Sequence, residues 1–470
     1  MIKTTDITVD KENPFKNCKL NREQYADILT TVIKSYKEGF VMAINNKWGE
    51  GKTTFVKMWK QKLKNDGFET LYFNAWENDF EDNALTAIIG ELKSLSDKGN
   101  KAKEDFKELL KAGAILGKNI LPGLAKALVG KYINVEELQS FVEAATKGMT
   151  EIFEEDVKEY TNKKESIKDF KKKLEKFVKD ATHDKPLIFI IDELDRCRPN
   201  YAVSVLEKVK HFFSVPGIVF ILSIDKEQLG NAVKGVYGND NIDAEEYLRR
   251  FIDLEYSLPE PNIDEYCNYL YDYYNFNSFF KSEIRENRVP YYETEHYFLK
   301  TMKVLLNSHS PTLRQQQKIF THAKLAIRMF KINEHLIPSI FAFLIYLKFY
   351  KIEIYNRIKN RKISIEEIQN EFYNSTSYLK KGMSLYNYTL TLEAYIIYFS
   401  ANHLSENRHS NDLIFMNENG EKESRIKSKY DNDSTFLINV FKELDYASHY
   451  FGFDHQINKI ELAENFKTHS

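Results

Sequence analysis

The chain has 470 residues, enough for two or three domains, and its 43% hydrophobic content can fill their cores, which excludes a disordered protein. Its 67 basic and 69 acidic side chains nearly cancel, so no global field points to nucleic acid or a membrane, and any such surface has to be local. Three scattered cysteines, Cys18, Cys197 and Cys267, give neither a disulfide framework nor zinc-site spacing; with an N-terminus (MIKTTDITVDKENPF) repeatedly interrupted by charge, they point to a reducing cytoplasm.

Asn21 is placed to cap a helix running to about Ser35, in which Tyr25, Leu29, Val32 and Ile33 recur at helical spacing. Residues 40–44 (FVMAI) form a short apolar run, expected to be a strand buried on both faces, and a loop with two glycines follows before a helix that starts near Lys52. A second strand is expected over 70–73, ending in a turn at Asn74, Ala75 and Trp76. From Asn83 to about Asp180 there is only helical periodicity, as in Ile167, Phe170, Leu174 and Phe177, which predicts a helical insertion. Strands resume over 187–191 and 218–223, separated by a helix from about Tyr201 to Phe213, and a fifth is expected over 251–256. The alternation predicts an α/β fold with a parallel sheet sandwiched by helices. Beyond Pro259 the pattern is helical, with a polar loop or small excursion over 402–434. This divides the chain into a core of residues 1–82 and 181–261, a helical insertion of 83–180 and a helical C-terminal lid and partner region of 262–470.

The strongest chemical signal is NKWGEGKTT, comprising Asn46, Lys47, Trp48, Gly49, Glu50, Gly51, Lys52, Thr53 and Thr54. Placed between an apolar strand and a helix, it fits a P-loop: backbone N–H groups around the glycines converge on phosphate oxygens at a helix N-terminus. Lys52 would reach the β and γ phosphates and Thr53 would place its hydroxyl on Mg²⁺. Asn46 stands where the pattern ordinarily has its first glycine; Asn tolerates left-handed backbone angles well enough to keep the loop's shape. The second signal is LIFIIDELDR, a buried strand that ends in two acids at the edge where parallel sheets bind ligands. Asp192 is suited to orient Mg²⁺, and Glu193 to accept a proton from the attacking water.

With both motifs in place the chain resembles the KAP family of P-loop NTPases, related to AAA-type and STAND ATPases. The resemblance covers most of residues 21–261 and also rests on FNAW from Phe73, IDELDRCRP from Ile191, FILSID from Phe220 and YLRRFIDLEYSLP from Tyr247. It implies a sheet order 5-1-4-3-2, a helical insertion between the two motifs, in which family members often carry membrane spans, and Mg-dependent ATP binding and hydrolysis. It further implies a γ-phosphate sensor at Asp225, with Ser223 the neighbouring candidate, and a finger at Arg249 or Arg250 acting on an adjacent subunit. Arg314 takes the place of a second sensor arginine. Trp76 is expected to pack, Asn74 and Glu77 to line the site, and Arg196 to face an interface or pair with Asp195. The partners implied are further copies of the chain or an effector protein, in a setting such as bacterial antiphage defence; a slow nucleotide-gated scaffold and a membrane-proximal signalling switch are the rival readings.

One stretch, residues 109–129, is apolar enough to touch a bilayer, yet Lys111, Lys118, Lys126 and Pro122 interrupt it. A buried helical hairpin and an interfacial amphipathic segment are both open there, the first favoured, and a full span is disfavoured. The run Lys171 to Lys173 reads as a solvated helix face, and the histidines show no ligand spacing.

Overall fold

Five parallel strands, β1 (Phe40–Asn45), β2 (Thr70–Asn74), β3 (Leu187–Asp192), β4 (Ile218–Ile224) and β5 (Leu254–Tyr256), form one sheet in the order β2-β3-β4-β1-β5. This is the expected order read from its other edge. The computed structural model describes residues 8–36, 38–80, 84–97, 99–119, 155–183, 185–238, 241–286, 295–405, 413–431, 435–447 and 453–464. The chain divides into two compact units, Met1–Glu260, which contains the sheet, and Pro261–Ser470.

Because β3 and β4 are central, every one of their residues is buried, and the sheet's two faces pack against different helices. On one face Ile188, Ile190, Val219, Ile221, Met42 and Ile44 join Phe55 and Trp59 of α2 (Lys52–Asn65) and Leu29 and Ile33 of α1 (Glu23–Ser35). On the other, Phe189, Ile191, Phe220 and Leu222 join Leu85 and Ile88 of α3 (Ala84–Ser96). Side chains alternate between faces, so Asn74, Asp192 and Ser223 all fall on the α2 face at the strands' C-terminal ends.

Two expectations fail locally. Asn21 does not cap α1: it has a φ of 49°, and Arg22 takes the cap position without a side-chain hydrogen bond to the helix. The fifth strand begins at Leu254 rather than Phe251, because the amides of Phe251 and Ile252 still bond back to Leu248 at the end of a short helix, Ala244–Arg249.

In the predicted insertion α3 is followed by α4 (Asn100–Asn119) and α5 (Glu155–Thr182), which pack through Phe106 and Phe177, their ring centres 5.4 Å apart. Lys176 pairs with Asp105 at 2.7 Å and Lys173 with Glu108 at 3.3 Å, so part of the lysine-rich face, while still solvated, also pairs with α4. Of the stretch 109–129, Leu109, Leu110, Ala112, Ala114 and Leu116 are buried in the core, whereas Pro122 and Lys126 lie outside the described residues. Among the described residues no helix is long and apolar enough to cross a membrane.

Among the described residues the second unit is helical apart from one small hairpin, Ile414–Met416 with Lys422–Ser424, inside the stretch read as a polar loop or small excursion. Its central helix, Pro338–Tyr350, is apolar on all sides and buried from Pro338 to Leu347. Arg314 is the second residue of the helix Leu313–Ile327, whose capping box joins Thr312 and Gln315; the arginine is exposed.

Fold stability should depend on the middle of the sheet. Phe189 is fully buried with its ring centre 5.3 Å from that of Phe220, so Phe189→Ala is expected to cost about 3–5 kcal/mol, read as a lower denaturant midpoint.

Candidate functional site

The loop after β1 bends through two residues of positive φ, Gly49 at 87° and Gly51 at 78°, and Gly51 then serves as the N-cap of α2. Those angles suit glycine and turn successive amides toward the helix N-terminus, where the helix dipole favours an anion. Lys52 opens the helix, with Thr53 and Thr54 half-buried behind it, while Lys47 and Trp48 are exposed and Glu50 is half-buried. Lys52 itself is 8% exposed; its ammonium donates to the carbonyls of Asn46 at 2.5 Å and Lys47 at 3.2 Å. Burial lowers its pKa, and the charges of Asp195, Asp225, Asp192 and Glu50 oppose that shift.

Asn46 does not take the left-handed conformation expected of a glycine substitute. Its side chain instead bonds the backbone of Leu258 in both directions, at 2.9 Å each, and donates to Glu50 at 2.9 Å.

Asp192 is buried at the end of β3, opposite Asn74 of β2 and Ser223 of β4. One of its oxygens accepts from the Tyr72 hydroxyl at 2.8 Å and the other from the Glu193 amide at 3.0 Å. Both oxygens keep a lone pair for a cation. The chain turns at Glu193, which has a φ of 60°. Its carboxylate pairs with Arg196 at 2.8 Å and accepts a hydrogen bond from Asn74. Burial raises the Glu193 pKa, Arg196 opposes the rise, and neighbouring Asp192 adds to it. Arg196 therefore pairs with Glu193, not with Asp195, and its guanidinium lies 6.0 Å from the centre of the Trp76 ring. Trp76 is 55% exposed, so the packing role expected of it reduces to that contact. Glu77 is also exposed.

Asp225 is engaged on both oxygens. One caps the helix Lys226–Tyr237 by accepting from Gln228, and the other accepts from the Trp48 amide at 3.1 Å. Ser223 is fully buried, and among the described residues its hydroxyl has no hydrogen-bond partner. Of the two sensor candidates, Ser223 is thus the one with an uncommitted polar group. Arg249 is 63% exposed and pairs with Glu245 at 3.1 Å and Glu246 at 3.2 Å, whereas Arg250 is exposed and makes no ion pair among the described residues.

Three further residues, Arg22 and Tyr72 outside the motifs and Asp195 within the second, also shape the site. The buried Arg22 donates to the carbonyls of Glu50 at 2.8 Å and Gly51 at 3.4 Å, bracing the loop from outside. Tyr72 holds Asp192, and burial together with that carboxylate pushes its own pKa upward. Asp195 accepts from the Trp48 indole N–H; burial raises its pKa, opposed by Trp48 and Lys52. Alternation along β2 gives a signal for Tyr72, since Tyr72 and Asn74 share a face. Nothing in the sequence signals Arg22.

The uncharacterized protein MJ0182 of Methanocaldococcus jannaschii is 30% identical over 177 residues, covering 33% of this chain and 90% of that protein. A solved structure of the Aeropyrum pernix ORC2 protein, titled as ADPNP-ADP complexes, aligns over 90% of this chain and 94% of its own at 13% identity; its TM-score of 0.33 is too low to carry an argument. The KAP family P-loop domain matches residues 22–322 of the 470, more than half of the chain, and the protein belongs to that family.

Proposed function

We propose that this protein binds ATP with Mg²⁺ and hydrolyses it, using nucleotide state to control its conformation or assembly. The observation that carries the reading is Lys52: a nearly buried cation at a glycine-shaped helix N-terminus, among Asp192, Asp195 and Asp225. A charge in that setting favours a polyanion that brings its own cation. The donor set suits Mg²⁺, because the Thr53 hydroxyl and the Asp192 carboxylate are hard oxygen ligands of the kind that ion uses in ones and twos beside phosphates. Mg²⁺, when bound, offsets negative charge on the β and γ phosphates. Lys52 would exchange its loop carbonyls for phosphate oxygens. Glu193 would align a water and take its proton as the water oxygen bonds to the γ phosphorus and the bond to the bridging oxygen breaks, leaving ADP and phosphate. Steady-state phosphate release, absent without Mg²⁺, tests the reading. Preference for ATP over GTP rests on family resemblance, and competition against a labelled analogue tests it.

The second reading, a slow nucleotide-gated switch, is favoured by one feature: Glu193 is tied to Arg196 and Asn74. A base so engaged turns over slowly until released. Turnover that lags far behind binding would select it. A role in antiphage defence rests on resemblance alone, and an effector gene beside this one would support it. Liposome flotation tests contact with a membrane surface.

Assembly gives a further prediction. Arg249 would have to leave two weak surface pairs to serve a neighbouring subunit, whereas Arg250 has none among the described residues to give up. The Arg249→Ala/Arg250→Ala double variant is expected to bind ATP normally and turn over poorly, and mixing it with Lys52→Ala protein should restore part of the activity. Turnover independent of protein concentration, with no rescue in the mixture, would refute the trans arrangement.

A further inference from the structure

The first unit ends at Glu260, so the chain leaves it through β5 and residues 257–260. β5 is only three residues long, and its ladder pairs Met42 with Leu254, Ala43 with Glu255 and Ile44 with Tyr256. Two positions further on, the same register brings Asn46 opposite Leu258. There the main chain departs into the phosphate loop, and the Asn46 side chain continues the ladder in its place. Its Oδ1 accepts from the Leu258 amide and its Nδ2 donates to the Leu258 carbonyl, both at 2.9 Å. A primary amide presents one acceptor and two donors, so a single side chain satisfies both backbone groups of Leu258 and still donates to Glu50. Glycine, the residue this loop pattern ordinarily has first, can do none of this. The Asn46 carbonyl, meanwhile, is held by the Lys52 ammonium at 2.5 Å.

We propose that Asn46 is a latch between the phosphate loop and the segment by which the chain leaves the first unit. Without nucleotide, Lys52 steadies Asn46, and Asn46 pins Leu258. A phosphate that draws Lys52 away removes one of the bonds fixing Asn46 and loosens Leu258. The inference rests on the nucleotide reading of the loop and names the residue through which occupancy is passed on. Asn46 is a positioning residue here; its side chain is engaged by Leu258 and Glu50. By reciprocity, a chain without the latch binds nucleotide more tightly, by the factor with which nucleotide loosens Leu258.

Amide hydrogen exchange on the full chain tests this, because Pro259 and Pro261 carry no N–H and residues 257–261 therefore report on Ser257, Leu258 and Glu260 alone. Without nucleotide, Asn46→Ala should speed exchange of Leu258 by roughly tenfold, the effect of losing one hydrogen bond from a part-buried amide. Asn46→Asp keeps an acceptor for that amide but sets a carboxylate oxygen against the Leu258 carbonyl and Glu50, where Nδ2 donated, so it too should lose protection. A non-hydrolysable ATP analogue with Mg²⁺ should speed Leu258 exchange in the parent and leave it unchanged in Asn46→Ala. Equal protection in parent and Asn46→Ala without nucleotide would overturn the latch. So would bound nucleotide, verified by calorimetry on the same samples, that leaves the parent's Leu258 unchanged or slower. If calorimetry finds no binding, the nucleotide reading fails and the coupling with it, while the nucleotide-free comparison still decides whether Asn46 pins Leu258. Should Asn46→Ala not fold, Asn46→Gly takes its place, with the same expected loss of protection and the same overturning result.

Discussion

Lys52→Ala is expected to weaken ATP binding by roughly 100-fold or more, since a lysine that reaches two phosphates makes charge-assisted hydrogen bonds of about 1.5–3 kcal/mol each. The loss should exceed that of an exposed lysine for a reason particular to this site. Lys52 is 8% exposed and its charge is balanced against Asp192, Asp195, Asp225 and Glu50. Without it, the pocket presents those carboxylates to an incoming triphosphate with no protein cation among them to offset the repulsion. Lys52→Arg should not rescue binding, because the guanidinium fork is larger than the ammonium that fits between the Asn46 and Lys47 carbonyls. Calorimetry with ATP and Mg²⁺ measures the effect, and thermal unfolding checks that the variants remain folded. Equal affinity in Lys52→Ala and the parent would remove the basis for the nucleotide site.

The sheet was legible because its signals are local and strong. Apolar runs of five or six residues bounded by turn residues mark β1, β3 and β4, and helical periodicity marks the elements between them. β5 was legible as a strand but not in extent, since Phe251 is apolar either way and a helical turn competes for it through the Leu248 carbonyl. The two motifs lie where the sequence puts them because a strand–loop–helix of fixed length leaves them little freedom. What the sequence does not reveal are bonds between distant segments. Arg22 braces a loop 28 positions away, Tyr72 holds Asp192 across 120, and Asn46 reaches Leu258 across 212. Asn46 makes the point most clearly. As a lone departure from a pattern it reads as a tolerated substitute for glycine, and only the register of β1 with β5 gives its side chain a task. Asp225 is the converse case: the position suggests a phosphate sensor, whereas the side chain caps a helix and holds the Trp48 amide.

Glu193→Gln is expected to leave nucleotide and Mg²⁺ affinity close to the parental value while turnover falls by roughly 10²-fold to 10⁴-fold, the range for losing a positioned base. The amide keeps the size of the carboxylate and can still face Arg196 and Asn74 as an acceptor through its carbonyl oxygen, so the turn at Glu193, with its φ of 60°, has no reason to change. What it loses is the capacity to take a proton. Two companion variants separate that role from a merely structural one. Arg196→Ala and Asn74→Ala each remove a group that engages the carboxylate, and neither group accepts the water's proton. If Glu193 is the base and its partners restrain it, these variants should turn over at least as fast as the parent. If the pair serves only to brace the turn, all three substitutions should lower thermal stability and turnover together. Glu193→Gln turning over at the parental rate would make Glu193 a bystander, leaving Asp192, Asp195 and Asp225 as the buried acids beside Lys52.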